Sequence, residues 1–74
     1  MDNAEFYKKL GHILKTTRTN KGLDVADVSD RTGMPNRYIH YMENGGVTTS
    51  VKDLVDYCTA IGMPTSDIII QLSV

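Results

Sequence analysis

Residues 31–45 of the 74-residue chain read RTGMPNRYIHYMENG and contain two glycines and a proline at positions typical of helix ends and starts. Gly33 suits a left-handed turn after one helix, and Pro35 suits the start of the next, where a missing N–H costs nothing. Gly45 is typical of a helix end. The pattern therefore predicts a short helix over 36–44 that follows a preceding helix after a tight turn.

This short helix has two different faces. At about 100° per residue, its apolar side chains share one arc and its hydrogen-bonding side chains share the other. The apolar arc carries Tyr38, Ile39 and Met42. The opposite arc carries Asn36, Arg37, His40, Tyr41 and Asn44. The sequence therefore predicts one face that packs on the core and one face that meets a partner.

Two helices are predicted before the turn. Asp2 or Asn3 can cap a first helix that runs to about Lys21. The apolar face of that helix comprises Phe6, Leu10, Ile13, Leu14 and Thr17. Asp24 followed by Asp27 resembles a capping box, which opens a second, short helix ahead of the turn.

A fourth helix is predicted after the second glycine turn. Ser50 and Asp53 form another capping box, and the helix continues to about Ile61. Its apolar arc comprises Val51, Leu54, Val55, Tyr57, Cys58 and Ile61. A single cysteine cannot form an internal disulfide, and Cys58 lies within this arc, so we expect an inert, packed thiol.

The C-terminal segment is unusually apolar. Thr65 or Ser66 can cap a last helix that begins at Asp67 and enters the run IIIQLSV at 68–74. The β-branched side chains of this run favour a strand, whereas the preceding cap favours a helix, and the sequence leaves both open.

Whether residues 68–74 form a helix or a strand, the run has more apolar side chains than one face can bury against the core. Three consecutive helical residues span about 200° of the circumference, so the three isoleucines cannot all face one core. We therefore predict a symmetric dimer seam within 66–74, formed by Ile69, Ile70 and Leu72 together with Val74. The competing interpretation is a terminal segment folded back on its own core.

Composition limits the class of protein. The length fits one domain over 1–74, and no apolar segment is long enough to span a membrane. The N-terminus has mixed charge and does not resemble a signal peptide, so a cytoplasmic protein is expected. Eight basic and nine acidic residues give a net charge of −1, which is weak support for a phosphate-bearing partner.

No enzyme, metal or cofactor site is predicted. The histidines are isolated, and Gly45 with Gly46 follows a helix instead of opening one, so it does not resemble a phosphate-binding loop. Catalytic residues and metal ligands are therefore expected to be none.

The order of these patterns resembles the lambda-repressor-like helix-turn-helix domains of the Cro/repressor (xenobiotic-response-element) family. The resemblance covers about 10–69 and is most specific at Gly22-Leu23, Thr32-Gly33, Tyr38-Ile39, Met42-Glu43 and the spacing from Leu54 to Ile61 and Gly62. It implies a compact all-α domain of four to five helices, with the helix-turn-helix unit at about 24–44.

The resemblance also implies a structural ion pair. Family members commonly pair an arginine late in the first helix with a glutamate late in the third, and Arg18 and Glu43 stand at these positions. A partly buried pair that joins the two helices is favoured over direct contact of Arg18 with a ligand.

By the same resemblance, the protein is a DNA-binding transcriptional regulator whose 36–44 helix lies in the major groove of an operator. Asn36, Arg37, His40 and Tyr41 would face base edges. Phosphate contacts would come from Lys21, Asn44, Thr48 and Lys52, and a homodimer would read two half-sites.

Three departures from the family pattern keep a second hypothesis open. Val25 stands where a phosphate-binding Gln is common, and Pro35 replaces a small polar cap. Residues 23–45 carry four acidic and two basic side chains, a net charge of −2. These features fit a helix-turn-helix antirepressor or modulator that binds a repressor protein on its basic DNA-reading face, or an antitoxin.

Overall fold

The computed structural model describes residues 2–73, and within them the chain forms five helices and no strand. The helices are α1 (Asn3–Asn20), α2 (Val25–Thr32), α3 (Asn36–Asn44), α4 (Val51–Ala60) and α5 (Thr65–Leu72). The predicted all-α class is confirmed. Val74, which the sequence analysis assigned to the C-terminal seam, lies outside the described residues.

Local capping sets the bounds of α1 and α2. The Asp2 side chain accepts a hydrogen bond from the Glu5 N–H at 2.8 Å. Asp24 and Asp27 form a reciprocal capping box, in which each carboxylate accepts from the other residue's N–H at 2.9 Å. Gly33 then ends α2 with φ +79°, a conformation that glycine adopts without steric cost. The turn that precedes α3 is therefore specified by adjacent residues.

Leu10 and Leu14 of α1 pack in the core, where both are almost fully buried. Phe6, predicted on the same face, is 38% exposed. It lies in the first turns of α1, where it meets the Tyr7 ring edge to face with centroids 5.1 Å apart. The apolar face of α1 is thus narrower at its N-terminal end than the sequence pattern indicated.

The core receives Tyr57 and Cys58 from α4, and both side chains are fully buried. Burial raises the pKa of the Cys58 thiol, which keeps it protonated and fits an inert, packed side chain. The Ser50 hydroxyl accepts from the Asp53 N–H at 3.1 Å and caps this helix, but the predicted capping box is only half formed, because the Asp53 carboxylate accepts from Tyr38.

The predicted arc of α4 is too wide. Val51 and Val55 are 78% and 40% exposed, so these two members of the arc are wrong. The helix packs mainly on α2 and α5, and its Tyr57 also reaches α1 and α3. Residues 51 and 55 are one turn apart at the edge of that arc, where no other helix covers them.

The C-terminal run is helical, so the helix alternative is the correct one, but its predicted start was wrong. α5 begins at Thr65, and Pro64 is the N-cap, with no side-chain capping bond from either residue predicted as a cap. Proline holds φ at −60° in an extended conformation, so the helix can begin directly after it. Ile68 is fully buried against the core.

Two glycines bring α1 and α3 into backbone contact. A Cβ atom on Gly11 would lie 2.4 Å from the Met42 carbonyl oxygen and 2.5 Å from that of Glu43. A Cβ on Gly45 would lie 2.7 Å from the Lys8 Cα. The C-terminal half of α3 therefore rests directly on α1, at a distance that only glycine allows.

Candidate nucleic-acid interface

The side chains of α3 are buried on one face of the helix and exposed on the other. Ile39 and Met42 are almost fully buried, and Tyr38 is half-buried against the same core. All five predicted recognition side chains are exposed, namely Asn36, Arg37, His40, Tyr41 and Asn44. Within residues 2–73 these five side chains make no hydrogen bond or ion pair. The outer face of α3 therefore presents donors and acceptors that are available to a partner.

The candidate phosphate contacts lie on segments outside α3. Lys21 follows α1, and its ammonium group donates to the Gly62 carbonyl oxygen at 3.1 Å. Thr48 is exposed in the loop between α3 and α4. Lys52 is in the first turn of α4 and pairs with Asp56 at 2.7 Å, a contact that raises the lysine pKa. Both lysines are solvent-exposed, so either can leave its present partner at little cost.

A buried ion pair joins the end of α3 to α1. Arg18 donates to both carboxylate oxygens of Glu43, from Nε at 2.8 Å and from Nη2 at 2.9 Å. Its Nη1 donates to the Leu23 carbonyl oxygen at 2.9 Å, and the bond to Glu43 raises the arginine pKa. Arg18 is 7% exposed and Glu43 is 5% exposed. Because the fork geometry is bidentate, the pair fixes the direction of both side chains.

A third member of this cluster, Tyr57, was not predicted from the sequence. The Tyr57 hydroxyl on α4 donates to Oε2 of Glu43, and the Leu14 carbonyl oxygen lies farther away at 3.4 Å. Burial is the main cause of a raised Tyr57 pKa, and the hydrogen bond to Glu43 raises it further. The apolar periodicity of α4 marked Tyr57 only as a core residue. No local pattern connects it to a glutamate 14 residues earlier.

A second tyrosine contact lies at the other end of α3. The Tyr38 hydroxyl donates to the Asp53 carboxylate at 2.6 Å, and this bond raises the tyrosine pKa. Asp53 was predicted only as part of the α4 cap. Its backbone N–H donates to the Ser50 hydroxyl in that cap, whereas its carboxylate accepts from Tyr38 of α3.

The ion pair alters the electrostatics inferred from sequence. Glu43 is buried and neutralised by Arg18, which lies outside the 23–45 segment. The segment then has three acidic and two basic side chains left, a net charge of −1 instead of −2. Asp27 is one of the three, and its carboxylate caps the backbone of α2. The surface around α3 is therefore less acidic than a count of residues suggests.

The described part of the chain has neither a metal-binding cluster nor a membrane-spanning helix. Across residues 2–73, no group of three or more histidine, cysteine or acidic side chains is placed to hold a metal ion. None of the helices described is long and apolar enough to cross a membrane.

A capped short helix, a left-handed glycine turn, and a second helix with an exposed polar face on a buried base define a helix-turn-helix protein. A comparison with models of known families gives the same assignment. The model described as "Helix-turn-helix domain" matches residues 9–68, most of the chain. The chain therefore belongs to the helix-turn-helix domain family.

Solved structures share this fold. The clp gene regulator ClgR from Corynebacterium glutamicum superposes with a TM-score of 0.86 at 24% identity, covering 92% of this chain and 88% of that one. The restriction-modification controller protein C.AhdI from Aeromonas hydrophila gives 0.80 at 24% identity, covering 84% and 94%.

An XRE-family like protein from Pseudomonas syringae pv. tomato gives a TM-score of 0.84 at 23% identity, covering 93% of this chain and 84% of that one. At these identities the likeness establishes a common fold. No curated protein matches the chain.

Proposed function

We propose that this protein is a sequence-specific, DNA-binding transcriptional regulator, made of one domain over 1–74, that acts in the cytoplasm. The observation that carries the proposal is the division of α3. Its inner face is buried, whereas its outer face exposes five hydrogen-bonding side chains with no partner in residues 2–73. An exposed helix of this kind, held after a tight turn, fits the major groove of B-form DNA.

The outer face of α3 has the chemistry for reading bases. The Arg37 guanidinium can donate two hydrogen bonds to the O6 and N7 atoms of guanine. The Asn36 amide can pair with N6 and N7 of adenine. His40 and Tyr41 lie one turn further along, where they can donate to a base acceptor or contact a thymine methyl group.

Phosphate contacts in this proposal flank the recognition helix. Lys21 and Lys52 supply positive charge, Thr48 supplies a hydroxyl, and Asn44 supplies an amide at the end of α3. Lys52 has to exchange Asp56 for a phosphate, and its side chain is 83% exposed, so the lost pair costs little. With so few cations, the salt dependence of binding should be shallow.

The C-terminal helix supports a homodimer. Ile69 and Ile70 are 58% and 62% exposed on α5, whereas Leu72 is half-buried and packs against the core. We propose that Ile69 and Ile70 form the seam and that Leu72 lies at its inner margin. A symmetric dimer would present two α3 helices to half-sites about 34 Å apart on a near-palindromic operator.

Selection of binding sequences from a random duplex library at low ionic strength tests the proposal. The selected duplex should then be measured with Arg37→Ala and with Arg31→Ala. Arg31 is an arginine-matched control, because it is directed towards α4 and donates to the Ala60 carbonyl oxygen at 2.7 Å.

Arg37→Ala should weaken discrimination at one base position by about 1 to 3 kcal/mol. Arg31→Ala should leave discrimination unchanged. If the protein binds no duplex at low salt, the DNA proposal fails, and the acidic surface of α2 would then point to a basic protein partner.

A further inference from the structure

Two tyrosine hydroxyls join α3 to α4. The two helices share one main packing partner, α2, since α3 packs on α1 and α2 whereas α4 packs on α2 and α5. Tyr57 of α4 reaches Glu43 in the last turn of α3, and Tyr38 in the first turn of α3 reaches Asp53 at the start of α4. Each end of α3 is therefore tied to α4 by one O–H donated to a carboxylate.

The two bonds lie in different environments. Tyr57 is fully buried and its acceptor is shared with the Arg18 guanidinium, so the inner bond belongs to a charge-assisted cluster. The outer bond is partly exposed, but the Asp53 backbone is held in place, because its N–H donates to the Ser50 hydroxyl. Each acceptor is carried by a helix, Glu43 by α3 and Asp53 by α4.

The positions of the bonds on α3 resist one particular motion. At about 100° per residue, positions 38 and 43 are roughly 140° apart around the helix axis and lie at opposite borders of its buried arc. They are also separated by roughly 7.5 Å along the axis. A roll of α3 in either direction must lengthen one of the two bonds.

Roll is the motion that matters for the outer face. The base-reading side chains named above occupy the arc opposite these two borders, so a roll changes the angle at which Arg37 and Asn36 reach the groove floor. Bidentate contacts with base edges depend strongly on that angle, whereas contacts with phosphate are more tolerant.

We infer that Tyr57 and Tyr38 are positioning residues that fix the roll of α3 through their hydrogen bonds to Glu43 and Asp53, and thereby determine sequence discrimination. The inference rests on the proposed function, because discrimination is a property of DNA binding. The roll itself is a property of the free protein and can be measured without DNA.

The test uses Tyr57→Phe, Tyr38→Phe and the double variant, each of which keeps the ring and removes one hydroxyl per site. Tyr7→Phe is the matched control, since Tyr7 is half-buried on α1 and its hydroxyl makes no hydrogen bond within residues 2–73. Two quantities are measured at a temperature at which every variant is fully folded. One is the ratio of affinities for the selected duplex and a scrambled duplex, and the other is the orientation of α3 relative to α4 from residual dipolar couplings.

The double variant should lower the affinity ratio about tenfold, with non-specific affinity nearly unchanged, and should show a changed α3 orientation. Tyr7→Phe should change neither quantity. If the ratio or the orientation stays at the wild-type value in the double variant, the inference is wrong. If Tyr57→Phe fails to fold, Tyr38→Phe and Asp53→Asn test the same inference at the outer bond.

A wild-type protein that binds no duplex would overturn the proposed function and, with it, the claim about discrimination. The dipolar couplings would then still decide whether the two hydroxyls fix the roll of α3. An unchanged orientation in the double variant would reject that structural part separately.

Discussion

The junction of α1 with α3 is closely packed around a buried ion pair, whereas the outer surface of α5 is apolar and exposed. At the junction, backbone meets backbone at Gly11, and a buried arginine and glutamate have hydrogen-bond partners supplied by the chain itself. On α5, Ile69 and Ile70 have more than half of their surface exposed.

The polar groups of the junction are satisfied within one chain, whereas the exposed isoleucines of α5 are available to a partner. The buried polar side-chain atoms of residues 2–73 all have hydrogen-bond partners, so the support beneath α3 is complete within one chain. An exposed pair of isoleucines on a short terminal helix gains free energy only when another surface covers it. Mutations should therefore affect stability at the junction and association at α5.

The largest effect is expected from Glu43→Ala. It leaves the Arg18 guanidinium buried without its charge partner and removes the acceptor of the Tyr57 hydroxyl. We expect the free energy of unfolding to fall by about 3 to 5 kcal/mol, measured by urea denaturation. A domain of this size has only about 5 to 15 kcal/mol in total, so the melting temperature should fall steeply.

The exposed pair Lys52 and Asp56 provides the control for that experiment. Their separation of 2.7 Å is as short as the buried contact, but the Lys52 side chain is 83% exposed. Asp56→Ala should therefore change stability by less than about 1 kcal/mol. Equal losses in the two variants would show that burial at the junction adds nothing to the pair.

A smaller loss is expected from Gly11→Ala. In an open helix the change would stabilise the protein by up to about 1 kcal/mol. Here the new methyl group would lie 2.4 Å from a backbone carbonyl oxygen of α3, which cannot move as a side chain can. We expect a net destabilisation of about 1 to 3 kcal/mol in thermal unfolding.

Gly46→Ala is the matched change at a permissive glycine. Its φ is not positive, and a Cβ there would be 3.7 Å from the nearest atom, an ordinary contact. This variant should unfold close to the wild-type temperature. A harmless Gly11→Ala would mean that α1 and α3 can separate without cost, which contradicts a rigid junction.

The junction should also give stability a dependence on alkaline pH. The Tyr57 pKa is raised in the folded state by burial and by its bond to Glu43, whereas an unfolded tyrosine titrates near pH 10. The unfolded chain therefore loses this proton first. The contribution is complete below pH 10 and is lost above it, by roughly 1.4 kcal/mol at pH 11.

Chemical denaturation at pH 9 and pH 11 measures this loss. Lysines and other tyrosines titrate in the same range, so the informative quantity is the difference between the wild type and Tyr57→Phe. The variant should lose less stability over this interval. An identical loss in both proteins would indicate that Tyr57 is accessible to solvent in the folded state.

The sequence predicted those features that depend on neighbouring residues. Capping side chains and Gly33 act within a few positions, so the bounds of α2 and α3 and the division of α3 into two faces follow directly. The start of α5 was missed because Pro64, without any side-chain hydrogen bond, replaced the expected polar cap.

Features that depend on distant residues were predicted less well. Periodicity gave α4 an apolar arc but could not tell which part of it another helix covers, and so it included Val51 and Val55. The Tyr57 contact joins residues 14 positions apart, and its geometry exists only after folding. The recognition residues, whose solvent exposure the structure gives, remain a prediction until a partner is measured.

The smallest effect on folding is expected at α5. Replacing Ile69 and Ile70 together with serine removes apolar surface that is more than half exposed, so the free energy of unfolding of the monomer should change by no more than about 1 kcal/mol per site. If α5 forms the dimer seam, sedimentation equilibrium should show a dimer for the wild type and a monomer for the variant at the same micromolar concentration. Gln71→Ser, an exposed neighbour on the same helix, should remain dimeric. A wild-type protein that stays monomeric at high micromolar concentration would reject the homodimer, and the two isoleucines would then have to be covered by another protein.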